Sequence, residues 1–541
     1  MIAVLLDYFH GVAHSICSVK PYNDSRTLST SEQIKLREHR LQGNNTVPTI
    51  VFLRTRHPIA TDILRYCCLR VAEKHMLLRS RIVLEGGQPC WQETKHTHVD
   101  VQECMDSNWK TLLEEHARLT FDSTSASLWS VTFLPNAREN KEHVETRQTK
   151  ERPHACALIF AFHPAIVEHP SDITQVVVTQ FINALNARLI EIQQNQLRTQ
   201  RNGLIKNLFS FATSTTSQLY SRVKSRFCEE FTCVDFVENM FDSRSTNQQM
   251  PEPFDNIVKL SFWQKIITQL INYEVFAAFF SHTGTHFHRS NQTKSLHEKR
   301  GRKSPTRSKS RDKIVLEKIQ LISLNKILEM GALDTCESHE SIVLAGIVHA
   351  LSSTAHDQNF PESLPCNKFN VGQEIQILQT LTNELLCDGQ IANYSFSTSV
   401  KLSFEMHTKV KKQLRSFHEW YYNTIKHSNK MLRNAANFYT KTAINEKLKA
   451  KSRLKDQTTP SRADLTFCYS EYEEATQGKG RPVHVSAVYS LLPCNQQNQL
   501  TCCATVVDNY LCVAVTKSKH YSQTTLKSFT ANLKSAFDIL L

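Results

Sequence analysis

The feature that most limits the fold of this chain is a short, almost continuous apolar run, "HACALIFAF", from His154 to Phe162. It predicts a strand buried on both faces, because a strand with one face in water alternates polar and apolar side chains. The loop "HPAIVEHPS" follows, and then apolar residues at helical spacing from Ile173 to Ile192. We therefore expect a strand, a loop and an amphipathic helix in an α/β chain, with Ser171 capping the helix.

Helix and strand patterns alternate in both halves of the chain. The first half predicts a helix over 59–74, a hairpin over 77–93 that turns at Gly86–Gly87, and a strand over 127–135. The second half predicts a helix over 338–355, strands over 391–404 and 483–492, a hairpin that turns at Asp508–Asn509, and a C-terminal helix from Leu526 to Leu540. A chain of 541 residues that is 40% hydrophobic is long enough for two or three cores, so we expect two similar α/β units.

The charge of the chain is concentrated in one segment. The formal net charge is +13, and residues 294–313 carry nine Lys or Arg against Glu298 and Asp312, which gives 9 − 2 = +7. A polar segment of this kind predicts a disordered loop. It has the composition of a nuclear-import signal, of a phosphorylated serine/arginine element, or of an arm that binds an acidic partner, and it also fits a solvated insertion without a partner.

The cysteines and the hydropathy pattern indicate where the protein resides. The sixteen cysteines are scattered, often within apolar segments, which is typical of reduced core thiols in a reducing compartment. No apolar run reaches the roughly 18 to 20 residues that span a bilayer. We therefore expect a soluble cytoplasmic protein, with the nucleus as the alternative through the basic segment.

Three histidines in "HTGTHFH", namely His282, His286 and His288, and the upstream pair Cys228 and Cys233 are the candidate zinc ligands. Their spacing differs from that of zinc modules, so we predict no metal site. The chain also lacks a Gly-rich phosphate loop, a G-x-S-x-G elbow and an H-E-x-x-H pair. Nucleotide hydrolysis, serine-hydrolase and metalloprotease chemistry therefore lack their usual starting points.

The order of the elements resembles a known family. A helix, the "GGQPCWQE" hairpin, a short strand with Leu128-Trp129, a buried strand that enters His163 and a further helix are similar to the condensation and alcohol-acetyltransferase branch of the coenzyme A-dependent acyltransferases. In the second half, the 338–355 helix, the segment 463–470, the late hairpin and the last helix follow the family's order. The resemblance implies two chloramphenicol acetyltransferase-like lobes of mixed sheets, with flanking helices around a central tunnel.

The resemblance also divides the chain. It implies an N-terminal lobe over 1–192, a polar insertion over 193–250, and a C-terminal lobe over 251–541 that contains a basic disordered loop at 290–315. It further implies acyl-CoA as co-substrate and a small alcohol or amine as acceptor, with no tightly bound cofactor. It assigns no cofactor-binding residue.

The family's active-site motif, His-His-x-x-x-Asp-Gly, is altered in this chain. Without gaps, His163 falls at the first histidine, Pro164 at the second, Glu168 at the aspartate and His169 at the glycine. In the family the second histidine removes a proton from the acceptor, and the aspartate shapes the loop through a salt bridge. Proline cannot take that proton and has no backbone N–H, so the resemblance implies lost or reduced catalysis.

Three functions follow from these patterns. The first is a divergent acyltransferase-like protein that has lost most catalysis and keeps an acyl ligand or a protein partner. The second is an active O- or N-acyltransferase that uses His163 or His169 as the base while Glu168 orients the loop; a one-residue shift would put His163 at the base position and Val167 at the aspartate. The third is an interaction protein that uses the basic segment to bind an acidic or nuclear partner.

Overall fold

A computed structural model provides the structure of the chain. It describes residues 25–42, 46–94, 99–105, 108–121, 127–139, 153–211, 250–253, 314–320, 338–357, 373–382, 391–402, 410–426, 431–432, 434–438, 465–472, 481–492, 500–508, 510–517 and 523–540.

The strands are β1 (Ser25–Thr27), β2 (Thr49–Thr55), β3 (Ser80–Glu85), β4 (Gln88–Glu93), β5 (Asp100–Glu103), β6 (Trp129–Leu134), β7 (His154–Phe162), β8 (Ile314–Gln320), β9 (Gln373–Thr380), β10 (Ser395–Leu402), β11 (Leu465–Tyr472), β12 (Val483–Ser490), β13 (Leu500–Val507) and β14 (Tyr510–Lys517). The α-helices are α1 (Thr30–Gln42), α2 (Thr61–Lys74), α3 (Trp109–His116), α4 (Thr179–Phe211), α5 (Ser338–Asp357), α6 (Val410–Tyr421) and α7 (Gln523–Leu540). Shorter turns are a 3₁₀ turn (Met76–Arg79) and two π-helical turns (Asp172–Val178 and Tyr422–Lys426).

Two mixed sheets form the two lobes. The sheet of the first lobe has the order β12-β2-β7-β6-β5, with only β5 and β6 parallel. The sheet of the second lobe has the order β10-β9-β11-β13-β14-β8, in which β9, β11 and β13 run parallel. A third sheet, β1-β4-β3, extends the first lobe. The prediction of an α/β chain with two lobes of mixed sheets and flanking helices is confirmed.

The central strand of the first lobe is β7, as its sequence predicts. It pairs with β2 on one side and with β6 on the other, and its last seven residues are buried. The strand β12 comes from the second half of the sequence but pairs with β2. The two lobes are therefore joined by a shared strand as well as by packing.

Two predicted turns have the backbone that their residues favour. Gly86 and Gly87 have φ values of 58° and 81° between β3 and β4, which only glycine adopts readily in succession. In the turn between β13 and β14, Asp508 has a φ of 51°, which Asp tolerates better than most residues. Both hairpins predicted from the sequence are confirmed.

The prediction that Ser171 caps the helix after β7 is wrong. Ser171 has helical backbone angles and no capping hydrogen bond, and a π-helical turn begins at Asp172. Its hydroxyl contacts His169 Nδ1 at 2.8 Å instead. The competing imidazole acceptor two residues earlier explains why this serine does not cap the helix.

The other expectations concern cysteines, membranes and metals. Nine cysteines in the described part of the chain are free thiols. No helix within the ranges given above is long and apolar enough to cross a membrane. The candidate zinc ligands, the basic segment at 294–313 and most of the predicted insertion lie outside the described residues.

Candidate active site

His163 stands where β7 ends and the motif loop begins. We use "motif loop" for residues 163–172. The backbone N–H of His163 donates to the carbonyl of Leu128 at 2.8 Å, and its carbonyl accepts from the N–H of Ile166 at 2.9 Å. These bonds continue the pairing of the sheet for one residue and then turn the chain. The His163 side chain is fully buried.

The ring of His163 is held by its own loop. The backbone N–H of Ala165 donates to His163 Nδ1 at 3.0 Å. Pro164 between them has no N–H, so Ala165 supplies the first donor after the histidine. Because Nδ1 accepts a hydrogen bond, the neutral ring carries its proton on Nε2. The nitrogen that would accept a proton from a substrate is therefore already occupied.

His163 contacts residues of the first lobe. Its ring meets the ring of His39, from α1, with centroids 4.5 Å apart and planes at 64°. Phe121 lies at 6.4 Å on a neighbouring loop. Burial, together with the charges of His39 and Arg40, lowers the pKa of His163 well below its ordinary value. His163 is therefore a neutral, buried side chain that faces α1.

His169 faces the second lobe. Its Nδ1 accepts from the backbone N–H of Ser171 at 3.1 Å, and its Nε2 lies 3.0 Å from the carbonyl of Leu378 in β9. Since a carbonyl only accepts, Nε2 must carry the proton. Burial lowers the pKa of His169 to about 4, although the hydrogen bond to Leu378 by itself would raise it. This neutral ring joins the motif loop to the second lobe and has no acceptor nitrogen left.

Cys468 in β11 also contacts His169, with Sγ 3.3 Å from Nε2. Burial raises the pKa of this thiol well above its ordinary value, and the neighbouring Cys503 raises it further. A thiolate nucleophile needs the opposite shift. The pair is therefore a neutral contact between lobes and not an activated cysteine.

Pro164 occupies the position that the resemblance gives to the catalytic histidine. It is buried, and its carbonyl accepts from Asn393 Nδ2 at 2.8 Å. Asn393 itself is 1% exposed and lies just before β10 of the second lobe. A hydrogen bond to the backbone thus joins the two lobes here, and the only side chain at the position is a pyrrolidine ring.

Glu168 occupies the position of the motif's aspartate and makes a salt bridge. Its Oε1 lies 2.7 Å from Lys35 Nζ, and both side chains are about one-fifth exposed. Burial alone would lower the pKa of Lys35, but the carboxylates of Glu168 and Glu38 outweigh it and raise that pKa. Glu168 therefore anchors the motif loop to α1.

Asp172, which the sequence analysis did not single out, is fully buried at the end of the motif loop. The hydroxyl groups of Thr380 and Thr382 donate to its Oδ2 at 3.0 Å and 3.2 Å. Both threonines belong to the second lobe. With Asn393 and His169, Asp172 forms what we call the interlobe cluster: His169, Asp172, Thr380, Thr382, Asn393 and Cys468.

The structure therefore separates the three candidate catalytic residues. His163 and Glu168 face α1, through His39 and Lys35, whereas His169 faces the second lobe. Lys35 and His39 are four residues apart, so they share one face of α1. That spacing was the sequence signal for this contact surface. The threonines and Asn393 had no such signal, because tertiary packing alone brings them to the loop.

Sequence comparisons identify no relative: no model of a known protein family and no curated protein matches the chain. Solved structures match over nearly the whole length. The trichothecene 15-O-acetyltransferase from Fusarium sporotrichioides is 10% identical, with a TM-score of 0.53, over 95% of each chain. The first condensation domain of the calcium-dependent antibiotic synthetase is 8% identical, with a TM-score of 0.51, over 96% of this chain and 97% of its own.

A third similar structure is a mutant starter condensation domain of rhizomide synthetase in complex with C8-CoA. It is 8% identical, with a TM-score of 0.51, over 95% of this chain and 94% of its own. The chain has the condensation-domain fold. At these identities the likeness establishes the fold alone. In the condensation-domain fold of this chain, the motif loop leaves the central strand of the first lobe and contacts the second lobe through His169 and Pro164.

Proposed function

We propose that this protein binds an acyl thioester between its lobes and has lost most or all acyl transfer. One observation carries the proposal: the Nδ1 atoms of His163 and His169 both accept backbone N–H groups of their own loop. A general base needs a free acceptor nitrogen and a pKa near the working pH. Here the acceptor nitrogens are occupied, and the pKa values are lowered, to about 4 for His169.

The other motif residues support the same conclusion. Pro164 offers no proton acceptor in its side chain, and the Glu168 carboxylate is paired with Lys35. A general base typically supplies about a hundredfold to ten-thousandfold in rate. A chain without one can still hold a thioester, and the complex of a similar fold with C8-CoA supports acyl-CoA as the class of ligand.

The first test is calorimetric titration with acyl-CoAs of increasing chain length, with free coenzyme A as the control. Release of the coenzyme A thiol is measured in parallel, with and without alcohol and amine acceptors. We expect saturable binding that depends on the acyl chain and no acceptor-dependent release. Acceptor-dependent release that disappears in His163→Asn or His169→Asn would identify an active enzyme and overturn the proposal.

A matched pair of variants tests the role of Pro164. Pro164→His returns an imidazole to the second motif position, and Pro164→Asn removes the proline without adding a base. If the missing imidazole limits turnover, Pro164→His releases more thiol than Pro164→Asn in the presence of acceptor. Equal release by the two variants would contradict the assignment of Pro164 to the base position.

A second candidate function rests on the basic segment at 294–313, whose charge of +7 favours an acidic or nuclear partner. Deleting this segment should abolish nuclear accumulation and the capture of acidic partners, while acyl-CoA binding stays the same. Unchanged location and partners after the deletion would eliminate this candidate. Cytoplasmic residence is the expectation for the deleted protein.

A further inference from the structure

Within the described part of the chain, two adjoining imidazole rings each have a buried nitrogen without a hydrogen-bond partner. Among the described residues, His163 Nε2 and His39 Nδ1 are buried atoms without one. His163 is fully buried and His39 is 1% exposed, and their ring centroids are 4.5 Å apart. Buried polar groups are almost always paired, so two unpaired atoms in adjoining rings require an explanation.

In each ring, the hydrogen bond at the second nitrogen determines whether the unpaired nitrogen carries a proton. His163 Nδ1 accepts from the N–H of Ala165, and His39 Nε2 accepts from the N–H of Phe121 at 2.9 Å. Each neutral ring must therefore carry its proton on the free nitrogen. Burial lowers the pKa of both rings, which keeps them neutral near pH 7. The pair presents two N–H donors and no acceptor.

We propose that His39 and His163 together bind the carboxylate of a small carboxylic acid. A carboxylate has two oxygen atoms that only accept, which matches two donors without acceptors. Arg40, which follows His39 in α1, is close enough for its positive charge to lower the pKa of His163. The local potential thus favours an anion, and the aromatic ring of Phe121 lies beside the pair.

Two other occupants fit the pair less well, and a direct contact between the rings is the alternative to any ligand. A metal ion needs a nitrogen lone pair, and backbone N–H groups already use the lone pairs of both neutral rings. A water molecule could accept both N–H groups, but its own two hydrogens would then need acceptors. An N–H group of one ring could instead point at the face of the other, which the 64° angle between the planes permits.

This site is distinct from the interlobe cluster and does not depend on the proposed function. The named ring contacts of His163 and His39 come from α1, the loop at Phe121 and the motif loop, all in the first lobe. A thioester between the lobes would be held by other residues. The carboxylate site therefore stands even if the chain proves unable to bind acyl-CoA.

Two substitutions remove one donor each while they keep the backbone contact. In His163→Asn, the amide oxygen takes the place of Nδ1 and still accepts from Ala165, but the Nε2 donor is gone. In His39→Gln, the amide oxygen takes the place of Nε2 and still accepts from Phe121, but the Nδ1 donor is gone. His169→Asn is the matched control, because the Nε2 of that ring already donates to the carbonyl of Leu378.

The test uses sodium acetate as the probe, with sodium chloride at equal ionic strength as the control. The full chain is melted at rising acetate concentration, and histidine-selective ¹⁵N labelling follows the two ring nitrogens. We expect a saturable rise in Tm, as for any ligand of the folded state, and a shift of the His163 Nε2 and His39 Nδ1 signals. Both effects should disappear in His163→Asn and His39→Gln and persist in His169→Asn.

Three results would overturn the proposal. An acetate response of equal size in His163→Asn and His39→Gln would place the anion elsewhere. No response in the wild-type protein, together with magnetisation transfer from water to the Nε2 proton, would identify a buried water. No response together with an upfield shift of that proton by the neighbouring ring would identify an N–H contact with the His39 face.

Discussion

His163 and His169 each precede a proline, and each ring accepts the backbone N–H two residues later, at 3.0 Å from Ala165 and 3.1 Å from Ser171. The two His-Pro-x turns differ at Nε2. His169 donates to Leu378 in the second lobe, whereas the Nε2 of His163 has no partner among the described residues. The same local sequence thus produces one lobe-to-lobe hydrogen bond and one free donor.

The comparison separates what the sequence determines from what the fold determines. In each turn the proline has no N–H, so the first backbone donor after the histidine is the N–H two residues later. The partner of Nε2 depends on which element the loop meets. Because both Nδ1 atoms accept a backbone N–H, neither ring is a free base, and the difference at Nε2 leaves only the His163 ring with a donor for a ligand.

The largest expected effect is a loss of stability in acid that depends on His169. The pKa of His169 is about 4 in the folded chain and 6.5 ordinarily. Between pH 4 and pH 6.5, this side chain is therefore protonated in the unfolded chain and neutral in the folded chain. Above pH 6.5, His169 therefore causes no loss in the free energy of unfolding. As the pH falls toward 4, this residue lowers the free energy of unfolding by about 3 kcal/mol.

Urea unfolding at pH 7.5, 6, 5 and 4 measures this loss, with His169→Asn as the control that cannot titrate. The wild-type protein should lose about 3 kcal/mol more than the variant over this range. Parallel curves for the two proteins would show that His169 titrates normally in the fold, and the proposed neutral tautomer would then be wrong.

The second prediction compares the two turns directly at pH 7.5, by replacing each histidine with asparagine. His169→Asn keeps an acceptor for Ser171 but leaves the Leu378 carbonyl without its donor, which costs about 2 kcal/mol. His163→Asn keeps an acceptor for Ala165 and removes a donor that has no partner, so it should cost about 1 kcal/mol less than His169→Asn. Equal losses in urea unfolding would mean that the His163 donor has a partner after all.

The third prediction concerns how the first turn is held to the second lobe. Asn393 Nδ2 donates to the carbonyl of Pro164 at 2.8 Å, and both groups are buried. Asn393→Ala should therefore cost about 1 to 2 kcal/mol, because a buried carbonyl loses its donor. Combining it with His169→Asn tests whether the two bonds hold the lobes together independently. Additive losses in unfolding free energy are expected for independent bonds, and strong coupling would indicate one cooperative contact.

Much of the fold was predictable because its strongest patterns are local. The run from His154 to Phe162, the Gly86–Gly87 turn and the helix at 338–357 each have a period or a turn residue with one main interpretation. The helix cap at Ser171 was wrongly predicted because His169 competes for its hydroxyl. Sequence rules for helix capping do not consider that a nearby histidine ring, here His169, can bind the hydroxyl of the capping residue.

The candidate site was predictable only in part. The sequence indicated that Pro164 and Glu168 alter the motif, and the structure adds that Glu168 pairs with Lys35 of α1. The tautomers of His163 and His169 required coordinates, because they depend on backbone N–H groups. The contact of His39 with His163 depends on where α1 packs, which lies beyond any local pattern.

The smallest expected effect concerns the anchor shared by both turns, the salt bridge between Lys35 and Glu168. The side chains are 20% and 19% exposed, so solvent screens the pair and its contribution is about 1 kcal/mol or less. Lys35→Gln and Glu168→Gln should each destabilise the protein slightly, and the double variant should lose no more than either alone, with a smaller effect in 1 M salt. Losses that add fully in the double variant would show that the pair contributes nothing. The two turns would then be positioned by their hydrogen bonds to the second lobe and by the contact between His39 and His163.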